Sequence, residues 1–125
     1  MPETKLDWRR ARLRKHADYQ RVYRESRRYS SASMTYFFRM REDGEPNGAE
    51  PRIGLTTGRV LGPAVERNRI RRRMRAAAQM HLGELPSRVD VVLHPRKTAL
   101  AMEFARLEAE VARIFAAVTT AGAKK

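Results

Sequence analysis

The chain contains no cysteine, which excludes disulfide staples and thiolate metal sites. No apolar run approaches the about 18 residues that cross a bilayer, and no long amphipathic helix with basic flanks suggests one lying on a membrane. The first residues, Met1-Pro2-Glu3-Thr4-Lys5-Leu6-Asp7, lack the apolar centre of a secretory signal. The simplest expectation is a soluble cytosolic protein with no membrane and no disulfide partner. Acid is missing where base is densest: from Arg67 to Gln79 there is no Asp or Glu. Asp18, Glu66 and Asp90 stand singly, and His16, His81 and His94 have no ligand spacing. Metal-assisted phosphodiester cleavage needs clustered carboxylates, so no catalytic residue, no metal site and no cofactor is expected in the protein itself.

What the chain does have is arginine. Its 125 residues carry 27 Lys+Arg against 14 Asp+Glu, a formal net charge of +13. That balance points to a polyanionic partner. The densest stretch is Arg67-Asn68-Arg69-Ile70-Arg71-Arg72-Arg73-Met74-Arg75. Read as a helix, it buries Ile70, Met74, Ala77, Ala78 and His81 along one side. Asn68, Arg69, Arg71, Arg72 and Arg75 fan over the other, with Arg67 and Arg73 at the edges. A solvated helix face normally mixes signs in i, i+4 pairs; this one does not. Planar guanidiniums fork two donors onto one phosphate, so the pattern favours polyanion binding over an inert charged face.

Around this helix the chain is expected to form one domain. Residues 1–15 read as a polar, basic segment with little regular structure, an electrostatic arm or a plain tail. Residues 16–25 suit a helix with Tyr19, Val22 and Tyr23 on one face. Aromatics at that spacing pack in a core, and between arginines they also stack single-stranded bases; both readings stay open. A loop is expected over 26–33 and a strand over 34–40. An acidic Gly/Pro/Asn turn follows, and a partner strand returns over 52–57. The arginine helix should start near Pro63 or Ala64 and end near Leu82, since Gly83 and Pro86 break it. Val89-Asp90-Val91-Val92-Leu93 reads as an interior strand stopped by Pro95. Residues 98–118 form the strongest amphipathic helix, with Leu100, Phe104, Leu107, Val111, Ile114, Phe115 and Val118 on its core side. The pattern is an α+β sandwich of helices on one small sheet, and the segment 52–93 is long enough for a parallel crossover.

These motifs resemble the bacterial ribonuclease P protein family. The resemblance rests on Arg52-Ile53-Gly54-Leu55-Thr56-Thr57, the turn through Gly58 and Gly62, and Ala64-Val65-Glu66-Arg67-Asn68-Arg69-Ile70-Arg71-Arg72. It is supported upstream by Leu13-Arg14-Lys15-His16-Ala17-Asp18-Tyr19-Gln20-Arg21-Val22-Tyr23 and downstream by Asp90-Val91-Val92-Leu93. It spans roughly residues 12 to 118. It implies a four-stranded sheet packed against helices in the order α-β-β-β-α-β-α, with a left-handed β-α-β crossover as in the ribosomal S5 domain 2-like fold. From residues alone the right-handed form is expected. The resemblance divides the domain into an arm over 1–12, a core over 13–118 and a tail over 119–125.

The same resemblance implies a protein that binds the ribonuclease P RNA subunit and precursor tRNA. The RNA subunit and its Mg²⁺ then carry out removal of the 5′ leader. Contact with the RNA subunit is expected from Arg59, Arg67, Asn68, Arg69, Arg71, Arg72, Arg73 and Arg75, with an RNA-bound Mg²⁺ near Asn68. Contact with the leader is expected from Arg12, Arg14, Lys15, Tyr19, Tyr23 and Phe37. Three positions depart from the family pattern: Val60 stands where a second basic residue is common, Ser26 where glycine is frequent, and His94-Pro95-Arg96 replaces a small-residue and arginine pattern. Composition alone fits a generic structured-RNA or ribosome-associated protein equally well. A DNA regulator would need base-reading side chains on the helix.

Overall fold

The computed structural model describes residues 7–45 and 48–123. Alternation along the strands builds its layers. In β2 (Met34–Met40), Met34, Tyr36, Phe38 and Met40 face one side, as do Val89, Val91 and Leu93 of β4 (Val89–Pro95) and Ile53 and Leu55 of β3 (Arg52–Leu55). They meet the buried stripes of α3 (Ala64–His81) and α5 (Phe104–Ala123). Leu107, Val111, Ile114, Phe115 and Val118 of α5 are all buried, each contributing about 1.5–3 kcal/mol relative to exposure. On the opposite sheet face α2 (His16–Glu25) closes a smaller cluster of Leu13, Val22 and Val92, flanked by Tyr19, Tyr23 and Phe37.

With a two-residue strand β1 (Tyr29–Ser30), the described sheet has four strands in the order β1-β2-β4-β3. β4 lies antiparallel to β2 and parallel to β3, so β3-α3-β4 is a parallel crossover. The expectation that 52–57 returns as the hairpin partner of 34–40 is therefore corrected: β4 is inserted between them. The connection through the long helix brings the buried Val89–Leu93 run into the middle, where both faces are covered. The expected loop over 26–33 contains a two-residue strand, β1 (Tyr29–Ser30), paired with Tyr36 and Thr35. β4 runs on through His94 to Pro95 rather than stopping at Leu93, and Pro95 lies opposite Met34 at its end.

The basic arm also departs from expectation over its described part. Residues Trp8–Ala11 form a short helix, α1, whose N-terminus is capped by Asp7 Oδ1 accepting from Arg10 N at 3.0 Å. Arg12 then bridges Ile53, and Leu13 N donates to Ile53 O at 2.7 Å, so the chain fastens to the free edge of β3. Residues 1–6 lie outside the described part, as do Pro46 and Asn47 of the acidic turn. The expected last helix is broken into α4 (Thr98–Ala101) and α5. The Arg73 guanidinium donates to the carbonyls of Ala99 and Met102 at that break. α5 itself continues to residue 123, through much of the expected tail.

Candidate RNA-binding surfaces

α3 places Ile70, Met74, Ala77 and Ala78 at zero exposure, and that thin anchor leaves its cations outward. Asn68, Arg69, Arg72 and Arg75 are exposed, while Arg67, Arg71 and Arg73 are half-buried. Among the described residues none of these arginines pairs with a carboxylate. Arg71 donates instead to Asn68 Oδ1 at 2.6 Å and Thr57 Oγ1 at 2.7 Å, neutral acceptors that fix its plane and leave its charge unspent. The Arg75 guanidinium lies 5.9 Å from the ring centre of Trp8. Arg59 is exposed in the short 3₁₀ turn Arg59–Leu61. That turn ends at Gly62, whose φ of 114° suits only glycine and whose added Cβ would meet Glu66 Oε1 at 2.5 Å. Glu66, the acid nearest to the cationic row, faces Lys97 at 3.9 Å. Arg73 is the member whose side chain turns to main-chain carbonyls of the fold.

The second surface is the sheet face beneath α2. Strand register sets its rows: Phe37, Val92 and Gly54 lie side by side, as do Arg39, Asp90 and Arg52. Gly54 is required by a close approach, since a Cβ there would sit 2.6 Å from Tyr19 Cε1. Tyr19 therefore packs directly against the β3 backbone, its hydroxyl donating to Leu13 O at 3.3 Å. Burial pushes that phenol above its ordinary pKa, so it stays protonated. Tyr23 meets Phe37 edge to face with ring centres 5.1 Å apart, and its hydroxyl is 2.9 Å from His94 Nε2 and 3.3 Å from Thr56 Oγ1. Tyr19, Tyr23, Phe37 and His94 are all half-buried, packed on one side and open on the other.

His94 and Thr56 complete this aromatic cluster and were not assigned a role from the sequence. The available signal was strand parity: two residues beyond Val92, His94 falls on the α2 face once β4 is extended. Burial, and then the cation of Arg28, hold the His94 imidazole below its ordinary pKa, so it is neutral at pH 7. The basic part of the leader set separates from the aromatic part. Arg12, Arg14 and Lys15 line a cavity of about 640 Å³ together with Arg9, Arg10, Asp18 and Arg52, beyond the N-terminus of α2. Only Arg12 also reaches the Tyr19 side, in a smaller cavity shared with Trp8, Leu55, Arg71 and Arg75.

The end of the sheet is held by a different charge cluster. Asp90 accepts from Arg41 Nη1 at 2.6 Å and from Arg52 Nε and Nη2 at 2.9 and 2.8 Å, with Arg39 Nη1 at 3.8 Å. Arg52 reaches Asp18 of α2 at 3.2 Å, and Arg39 pairs with Glu25 and Glu45. Arg39 holds the Glu45 carboxyl down to about 2. Among the described residues no three His, Cys, Asp or Glu are grouped to hold a metal ion.

An uncompensated guanidinium row on one helix and a half-open aromatic cluster on the other face of the sheet are the features of an α+β protein suited to a phosphate polymer. Comparison with known proteins narrows the class. The Ribonuclease P family profile matches residues 8–119. The ribonuclease P protein component of Acidothermus cellulolyticus is 34% identical over 110 residues, covering 88% of this chain and 89% of the relative. That of Chloroflexus aggregans is 38% identical over 104 residues, covering 82% and 73%. Among solved structures, the RNase P protein of Staphylococcus aureus superposes with a TM-score of 0.71 at 22% identity, covering 87% of this chain and 97% of that one. The Thermotoga maritima RNase P protein gives 0.70 at 23%, covering 83% and 94%. The chain belongs to the ribonuclease P protein family. It is a protein component of the endoribonuclease that matures the 5′ end of tRNA.

Proposed function

We propose that α3 and Arg59 hold the ribonuclease P RNA subunit while the aromatic cleft under α2 holds the 5′ leader of precursor tRNA. The observation that carries this reading is the absence of any carboxylate partner for the α3 arginines among the described residues. Six guanidiniums within nine residues repel one another, and a phosphate backbone relieves that repulsion. Arg59, Arg67, Arg69, Arg71, Arg72 and Arg75 contact RNA phosphates, and Arg73 fixes the helix against α4. Tyr19, Tyr23 and Phe37 offer faces and edges to unpaired leader bases, with Arg12, Arg14 and Lys15 tracking the backbone. Cleavage belongs to the RNA subunit and the Mg²⁺ it binds, and Asn68 is the α3 side chain nearest in kind to contact such an RNA-held ion through water. The complex works in the cytoplasm.

The test is reconstitution at low Mg²⁺ with a bacterial ribonuclease P RNA and a precursor tRNA. Cleavage at the mature 5′ end is expected only with both protein and RNA subunit present. In the same assay Phe37→Ala should weaken leader-bearing precursor about 5- to 150-fold, the value of one lost base stack, and mature tRNA much less. Equal losses on both would assign the aromatics to packing alone. Cleavage by protein without RNA would overturn the whole reading.

A further inference from the structure

We infer that the small cavity between α1, β3 and α3 is a binding site for a single phosphate group of RNA. The inference rests on the RNA-binding reading above and gives it a defined point of contact. The cavity measures about 80 Å³ and is lined by Trp8, Arg12, Tyr19, Leu55, Arg71 and Arg75. It has room for a few waters or one phosphate group.

Its lining is one-signed. Three guanidiniums converge from two parts of the chain and no carboxylate lines the wall. The Arg12 backbone bridges Ile53, but its guanidinium has no hydrogen-bond or ion-pair partner among the described residues. The contacts of Arg71 are to neutral oxygens, and Arg75 rests on the Trp8 ring. Trp8 Nε1 is buried and has no hydrogen-bond partner among the described residues, which is costly for a donor. Arginine charge held in place by neutral partners, beside an unused N–H, suits an oxyanion. The larger cavity beyond α2 is a weaker candidate, because Asp18 and Glu50 line it and Arg10 and Arg52 are already paired there.

Position assigns the source of the phosphate. Tyr19 belongs to the aromatic cleft and Arg71 and Arg75 to the α3 surface, so the cavity is the seam between them. A leader phosphate lying where the two RNAs meet on the protein falls at this seam. Arg12 links the two because the pairing of residues 12–13 with the β3 edge holds it there.

Trp8 is the only tryptophan in the chain, so its emission reports on this cavity. The experiment titrates the full chain with inorganic phosphate, holding ionic strength constant with chloride and recording far-UV circular dichroism in parallel. A saturable emission change at constant helix content is expected. Arg12→Gln and Arg75→Lys should each weaken it at least tenfold, and Arg106→Gln, exposed on α5 and outside the cavity, should leave it unchanged. A response reproduced by chloride, one that follows a change in helix content, or one indifferent to both Arg12→Gln and Arg75→Lys overturns the site. In a second arm, precursor tRNA bound in the reconstituted holoenzyme should give the same emission change, and inorganic phosphate should compete with it. If phosphate titrates Trp8 but the RNA does not, the occupant is a free anion and the assignment to RNA falls. If phosphate is silent while the holoenzyme still cleaves, the cavity fails and the family's role stands untouched.

Discussion

The bare arginine row makes a quantitative claim about salt. Arg59, Arg67, Arg69, Arg71, Arg72 and Arg75 are each at least partly exposed, and none is paired with an acid among the described residues. If each neutralises one phosphate, the affinity for the RNA subunit falls with log salt at a slope of about −0.9 × 6, or about −5.4. Between about 50 and about 200 mM KCl, that slope is a loss of about 2000-fold. The double variant Arg69→Gln, Arg72→Gln removes two exposed members without touching the buried stripe. Its slope should fall to about −3.6, and its loss over the same range to about 150-fold. Glutamine is chosen because glutamate would add repulsion and exaggerate the effect. Fluorescence anisotropy with labelled ribonuclease P RNA at constant Mg²⁺ reads both slopes directly. An unchanged slope with weaker binding would show that these two side chains act by shape or through the fold, and the phosphate argument for α3 would be wrong.

Two further predictions concern the scaffold. Asp90→Asn leaves the guanidiniums of Arg39, Arg41 and Arg52 facing one another, with Arg41 and Asp90 almost wholly buried. Breaking a buried pair from one side costs about 3–5 kcal/mol, which lowers the melting temperature of a chain this size by roughly 10–20 °C. A urea melt showing under about 1 kcal/mol would mean the arginines simply swing into water. His81 links the end of α3 to Glu84 and to Glu108 of α5, and mainly Glu84 raises its pKa. A raised folded-state pKa stabilises fully below the ordinary imidazole value, about 6.5, and that stability is lost as pH rises through the higher folded value. Thermal melts should therefore show stability declining as pH rises above about 6.5, with this part of the slope absent in His81→Gln. A His81→Gln profile parallel to the parent would assign the dependence elsewhere.

Periodicity made some elements readable. The α2, β2 and α3 boundaries follow from runs of matching pattern, and Ile70, Met74, Ala77 and Ala78 form the buried stripe that the helical spacing predicts, whereas His81, expected on the same stripe, is half-buried and paired with Glu84 and Glu108. Neighbour relations were not readable in the same way. Two adjacent strand-like segments suggested a hairpin, but pairing over the 38 residues between Arg52 and Asp90 decided the sheet. The Asp90 cluster was invisible for the same reason: one carboxylate isolated in sequence meets three arginines only after β2, β3 and β4 align. Trp8 sits in a helix of four residues, too short for any period, and its one signal was Asp7 as a cap. Whether Tyr19 and Tyr23 pack or stack could not be separated by spacing. The structure shows why: both are half-buried, so each side chain packs with one part and remains open with the other.

The distribution of the acids explains how so basic a chain folds and still keeps a free cationic surface. Asp18, Glu25, Glu45 and Asp90 gather around Arg21, Arg39, Arg41 and Arg52 at one end of the sheet. Those arginines are partly or wholly buried, where an unpaired charge is untenable, so the fold takes carboxylates there first. α3 can go without them because its arginines are at least partly exposed, so high-dielectric water weakens their mutual repulsion and salt screens what acts beyond about 10 Å. That screening weakens when an RNA surface displaces the water, and phosphates must then replace it. A chain with the same composition but acids spread along α3 would fold as well and bind less. The net charge of +13 matters for function through where its compensation is withheld, more than through its size.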